Sequence, residues 1–195
     1  MEFNTDKLTH HNFWGFYDSH FNKLKKEKLN ILEIGILKGE SLKLLKNYFN
    51  NSNIYGIDIN KIEVNEERIK TFQMSQVDFE SYKINFKDLK FDIIIDDGSH
   101  MTKHQIDTFG YLFENMLVDG GLYVIEDLHT SFRNEYINSE ITAFEMVDKI
   151  KNEKFIKDNF ETVYKFYNKI GETFIFKKNE NDFYDSITSI IYKVK

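Results

Sequence analysis

The most concentrated chemistry in the sequence lies in two carboxylate doublets. Asp96 and Asp97 close the apolar run 91–95 and lead into Gly98, Ser99 and His100. Glu126 and Asp127 close the run 122–125 and lead into His129. Carboxylates held this close repel unless a proton, a base or a cation compensates. A hard divalent cation such as Mg²⁺ or Ca²⁺ is the simplest compensation, because it takes oxygen ligands. Acidic residues also follow strands for turn and cap reasons alone. The weight therefore falls on two successive ends that each carry a doublet, one of them followed by His100.

The elements that must position these groups are legible around them. Short, mostly apolar runs rich in β-branched residues, such as 91–95 and 122–125, suit strands buried on both faces of a parallel sheet. The segment 101–117 is long enough for the crossover helix between them. Both doublets then fall at the edge where open α/β sheets bind ligands. Upstream, residues 29–34 read as another buried strand, followed by G-I-L-K-G-E-S and a helix over 42–49. Gly35 frees the turn and Gly39 permits close backbone approach. The G-x-x-x-G spacing is not the dinucleotide fingerprint, which argues against a dehydrogenase. Glu33 would repel a pyrophosphate but suits a ligand's ammonium. The next strand, 54–57, ends in Asp58, placed to grip a ribose diol. Residues 72–78 read as a short edge strand whose Gln76 or Asp78 could meet an adenine or simply form a turn.

The flanks read differently. Residues 1–29 carry an aromatic amphipathic helix, a helical lid segment in which His10, His11 and Tyr17 could fold over the ligand edge. Residues 137–156 have the period of a surface helix, within a substrate-side insertion at 128–160. Residues 162–167 and 173–177 read as a hairpin around Gly171, and 183–194 as a tail packed on the sheet or on a second copy in a homo-oligomer.

With 195 residues and 41% hydrophobic content the sequence suits one domain, 1–195, with a full core. A net charge of -6 speaks against a general nucleic-acid binder. The absence of cysteine excludes thiolate sites. No signal peptide and no apolar run near the roughly 20 residues of a membrane span are visible, and a cytoplasmic location is expected.

With the loop, Asp58 and the acidic doublets in view, the sequence resembles class I S-adenosylmethionine-dependent methyltransferases. More narrowly it resembles the metal-dependent sugar O-methyltransferases of macrolide deoxysugars and their bacterial polysaccharide relatives. T-D-K at 5–7, L-E-I-G-I-L-K-G-E-S at 32–41, Y-G-I-D-I at 55–59, D-D-G-S-H at 96–100 and V-I-E-D-L-H-T-S at 124–131 carry the likeness. It implies a Rossmann-like αβα sandwich whose seven-stranded sheet is parallel except at the last strand, part of a C-terminal antiparallel hairpin. It also implies Mg²⁺ on Asp97, Glu126 and Asp127, with His100 as general base. Glu33, Gly35, Gly39, Ser41, Asp58 and Asp96 would line S-adenosylmethionine, with Gln76 or Asp78 near its adenine. His104, His129 and Tyr17 are candidates for the acceptor, a sugar or nucleotide-linked sugar. His104 could instead orient His100 or sit on the helix surface. Glu40 stands where the family often has a glycine, and the extra N-terminal domain of the macrolide members has no counterpart in these residues. Two other readings stay open: a phenolic or amine acceptor, and a nucleoside-binding subunit without catalysis.

Overall fold

The computed structural model describes residues 3–152 and 161–194. Strands β1 (Asn30–Ile34), β2 (Asn53–Asp58), β3 (Ile69–Gln73), β4 (Phe91–Asp96), β5 (Leu117–Ile125), β6 (Ile170–Lys177) and β7 (Ile187–Lys193) form one sheet. Its order is β3-β2-β1-β4-β5-β7-β6. The strands from β3 to β5 pair in parallel, whereas β7 runs antiparallel to both β5 and β6. This is the Rossmann-like sheet and C-terminal hairpin expected from the sequence.

Alternation along the strands sorts the core into two faces. Ile31, Ile93, Ile95 and Val124 pack against α1 (Trp14–Phe21) and α2 (Glu40–Tyr48), through Phe13, Tyr17, Phe21, Leu42 and Leu45. Leu32, Ile94, Tyr123 and Ile125 face the other way. There they meet α3 (Phe79–Asn85), α4 (Thr102–Asn115) and α5 (Ala143–Lys151), through Tyr82, Phe109, Phe113 and Met146. The capping box of Thr142 and Glu145 starts α5.

Register brings the loops together. Ile34 pairs with Ile57 and with Asp96, and Asp96 pairs with Ile125. The ladder runs one step further. Gly35 N–H donates to the Ile57 carbonyl, Asp97 N–H to Ile34 and Glu126 N–H to Asp96, each at 2.9 Å. Gly35, Asp58, Asp97 and Glu126 thus leave the sheet at one level.

Four sequence expectations change. Residues 162–167 do not form a strand; α6 (Glu161–Tyr164) and a 3₁₀ turn (Tyr167–Lys169) precede β6. The tail forms β7, inserted between β5 and β6, so Ile187, Ile190 and Ile191 are core while Phe183, Tyr184 and Val194 stay exposed. The edge strand ends at Gln73, which leaves Gln76 and Asp78 in the loop and cap that follow. The helix expected over 137–156 begins only at Ala143, and residues 153–156 lie outside the described residues. Outside these four, the aromatic side of the N-terminal segment lies in the core, with Phe13, Tyr17 and Phe21 fully buried.

Candidate active site

Two cavities open at the carboxyl edge of the sheet and share Gly35. The first, about 380 Å³, lies over the ends of β1 and β2 and is lined by Asp58, Asn60, Met74, Ser75, Gln76 and Ser99, among others. The second, about 320 Å³, lies toward the N-terminal arm and is lined by Thr5, Lys7, Lys38, Ser41 and Asp97. Both volumes fall in or near the range of small-molecule sites. Gly35 divides them because nothing larger fits. It has φ of +79°, and a Cβ there would lie 2.0 Å from the Asp97 carbonyl oxygen.

The first cavity has a polar end and an apolar end. Asp58 Oδ2 accepts from Ile36 and Leu37 N–H at 3.1 and 3.3 Å, and Oδ1 from Asn60 N–H at 2.8 Å. The carboxylate therefore both shapes the glycine loop and faces the cavity. Gln76 lines the cavity, but its amide is engaged with Asp96, Thr108 and Ser99 N–H. Asp78 is exposed and lies away from both cavities, capping α3 through Ser81. Gly39, at φ +76°, caps α2. His104 reaches the cavity through its Nδ1, 2.8 Å from Ser99 Oγ.

The pleat splits the doublets. Asp96 follows the parity of Ile94 and turns toward α4, fully buried against Gln76 and Gly98 N–H. Burial pushes its carboxyl up to about 7, with the Asp97 charge adding to the effect. Glu33, Asp97 and Glu126 converge on the other side, where Lys7 Nζ lies 3.3, 2.6 and 2.8 Å from them. Burial alone would lower the Lys7 pKa. Asp97, Glu126 and Glu33 outweigh it and hold the ammonium well above the ordinary lysine value. Tyr17, fully buried, donates to Glu126 Oε1 at 2.7 Å. Its hydroxyl supports a carboxylate instead of facing an acceptor. Glu33 Oε2 accepts from Ser41 at 2.7 Å, while Oε1 has no hydrogen bond, the Lys7 contact being an ion pair only.

Asp127 stands at the mouth of this cluster. His11 Nδ1, His100 Nε2 and His129 Nδ1 lie 3.6, 3.7 and 3.7 Å from its oxygens. His100 and Asp127 both adopt left-handed backbone, φ 58° and 53°, conformations that cost roughly 1–3 kcal/mol each and cluster at functional sites. Burial, then the Asp97 charge, raises the Asp127 carboxyl to about 6. Burial, then Arg133, lowers His129 to about 4, so this imidazole is neutral at pH 7. Burial likewise raises Glu33 and Glu126, with Asp97 adding to both and Lys7 opposing. One ammonium does not offset so much acid.

A divalent cation fits that imbalance. One ligand atom each from Asp97, His100 and Asp127 lie within 4.8 Å of one another. Asp127 Oδ1 and His100 Nδ1 are buried without a hydrogen-bond partner. Glu126, expected as a ligand from the sequence, is held by Lys7 and Tyr17, and His100 stands in the converging set instead. The sequence reading missed Lys7 altogether. Thr5-Asp6-Lys7 contributed to the resemblance, but nothing local couples Lys7 to a carboxylate 90 residues away. Met74, Ser75 and Asn60 were missed for the same reason, since loops declare their facing only in the fold.

The sequence profile of a family described as FtsJ-like methyltransferase matches residues 16–178. Mycinamicin VI 2''-O-methyltransferase of Micromonospora griseorubida is 40% identical over 131 residues, 63% of this chain and 33% of that protein. The 8-demethyl-8-alpha-L-rhamnosyl tetracenomycin-C 2'-O-methyltransferase of Streptomyces olivaceus is 36% identical over 141 residues, 66% of this chain and 36% of that protein. Among solved structures, MycE methyltransferase of mycinamycin biosynthesis, in complex with Mg, SAH and mycinamycin VI, matches with a TM-score of 0.76 and 28% identity. That match covers 94% of this chain and 50% of the MycE chain. The chain thus spans about a third of the length of these curated relatives.

Proposed function

Because the chain belongs to the FtsJ-like methyltransferase family, we propose that it is a Mg²⁺-dependent O-methyltransferase moving the methyl of S-adenosylmethionine to a sugar hydroxyl. The acceptor is a sugar of natural-product or surface-polysaccharide synthesis, free or nucleotide-linked. The single observation that carries the reading is the convergence of Asp97, His100 and Asp127 beside two cavities that meet at Gly35. The sugar O-methyltransferases among the relatives, and MycE with its Mg and SAH, support it.

The cavity over Asp58 suits an adenosyl group, with the carboxylate accepting from the ribose diol and Met74 and Ser75 against the base. The cavity beyond Gly35 suits the amino-acid end, beside Ser41 and Lys38. Asp97 and Asp127 would hold the metal, with Glu126 joining as third carboxylate where Lys7 gives it up. Mg²⁺ bound there would supply charge stabilisation to a sugar hydroxyl as it loses its proton. His100 receives that proton, with its ring 3.7 Å from the Asp127 carboxylate. Both residues hold left-handed backbone. Burial of Glu33, Lys7 and Glu126 excludes water from the floor of the site, which strengthens each electrostatic contact above it. Residues 128–152, with 3–12, form the acceptor side; a cytoplasmic location and self-association complete the reading. No helix among the described residues is long and apolar enough to cross a membrane.

Calorimetry of S-adenosylmethionine binding, paired with labelled methyl transfer to a panel of nucleotide sugars and macrolide glycosides, tests it. Binding with transfer that EDTA abolishes is the expected result. Failure to bind the cofactor would refute the reading, and undiminished transfer in EDTA would remove the metal.

A further inference from the structure

Lys7 is the buried group for which the proposed mechanism has no catalytic use. Its side chain is 1% exposed, and its ammonium bridges Asp97 and Glu126 from 2.6 and 2.8 Å, with Glu33 at 3.3 Å. Burying a lysine costs desolvation unless opposite charge surrounds it, and here three carboxylates from the ends of β1, β4 and β5 do so. The arm that carries it is built to deliver it. Leu8 and Thr9 N–H close turns onto Thr5 and Asp6, and Phe13 N–H donates to the Lys7 carbonyl. Phe13 then anchors the arm in the core at 0% exposure. His11 pins the other side through Ser186 at 2.6 Å.

The ammonium and a divalent ion draw on the same oxygens. Asp97 belongs both to the Lys7 bridge and to the group converging with His100 and Asp127, and Glu126 is withheld from that group by Lys7 and Tyr17. We infer that Lys7 is a resident counter-cation that competes with the divalent metal for Asp97 and Glu126, so that docking of the N-terminal arm sets metal affinity. The inference rests on the metal-dependent reading above. Lys7 is then a positioning residue, holding Glu33, Asp97 and Glu126 together before the metal arrives. By linkage, whatever Lys7 takes from the metal's affinity the metal takes from the arm's docking.

The test compares wild type with Lys7→Met, which keeps most of the side-chain volume and removes the charge. Mg²⁺ affinity is measured by calorimetry without cofactor or acceptor, and melting temperature in EDTA and in Mg²⁺. The expected result is at least tenfold tighter Mg²⁺ binding in Lys7→Met, a lower melting temperature in EDTA, and a larger Mg²⁺-induced rise than in wild type. Equal or weaker binding in the variant, with Mg²⁺ still bound by wild type, overturns the competition and leaves the metal reading standing. Absence of Mg²⁺ binding in both overturns the inference and the metal reading together. Should Lys7→Met not fold, wild type answers by limited trypsin digestion. Mg²⁺ should speed cleavage after Lys7 relative to cleavage after the exposed Lys61. Cleavage after Lys7 that is unchanged or slowed by Mg²⁺ overturns the inference.

Discussion

Asp96 gives the sharpest quantitative test of the site's electrostatics. Its carboxyl is fully buried between Gln76 and Gly98 and lies at about 7 instead of the ordinary 3.8, burial being the largest cause. The native state therefore keeps a proton that the unfolded chain releases above pH 3.8. Stability from this group is fully present below pH 3.8 and is lost as pH rises through 7. From 3.8 to about 7, at roughly 1.36 kcal/mol per pH unit, the loss is about 4 kcal/mol. Asp96→Asn removes the titration while its Oδ1 still accepts from Gln76 and Gly98 N–H, as Asp96 Oδ1 does at 3.3 Å each. The variant should gain on wild type by about 4 kcal/mol between pH 4 and pH 8, which at a urea slope of about 2 kcal/mol/M is a midpoint shift of about 2 M. Urea titrations of both proteins in EDTA at pH 4, 6 and 8 read this as a difference. Other groups, such as His129, titrate equally in both and cancel. A variant-minus-wild-type difference that stays flat across that range would refute the assignment of Asp96 as a buried, proton-holding acid.

Two further outcomes follow from the same geometry. Tyr17→Phe removes the 2.7 Å hydrogen bond to buried Glu126 and should cost about 1.5–3 kcal/mol, the scale for a bond to a charged group; a urea midpoint equal to wild type would show that Glu126 does not depend on it. Gly35→Ala places a methyl 2.0 Å from the Asp97 carbonyl oxygen at a φ of +79°. It should lower the melting temperature by the equivalent of more than about 2 kcal/mol and abolish S-adenosylmethionine binding in calorimetry. Wild-type binding in that variant would mean that β1 and β4 separate without consequence.

The legible part of the protein was its repeating part. Runs of β-branched residues announced β1, β2, β4 and β5, because a strand buried on both faces has no polar position to spare. Crossover lengths then implied parallel pairing. The doublets at 96–97 and 126–127, with Gly35 and Asp58, marked the carboxyl edge of the sheet, where open α/β sheets bind ligands, and the comparisons agree on fold and family. Less legible were segments whose state depends on neighbours. Residues 162–167 have strand-like composition but enter a helix and turn, and the tail's period emerges only once β7 has β5 and β6 on either side.

The sequence by itself determined which chemical groups lie at the sheet's edge, since each of the clustered acids lies at the end of a strand-forming run or directly after it. It did not determine which of them cooperate. That came from the pleat, which turns Asp96 toward α4, and from an arm 90 residues away in sequence that brings Lys7 to Asp97. The same assembly fastened Glu126 to Tyr17 and left Asp127 among three imidazoles. Charge interaction falls with distance in space, not along the chain, and only the folded strand ends fix those distances.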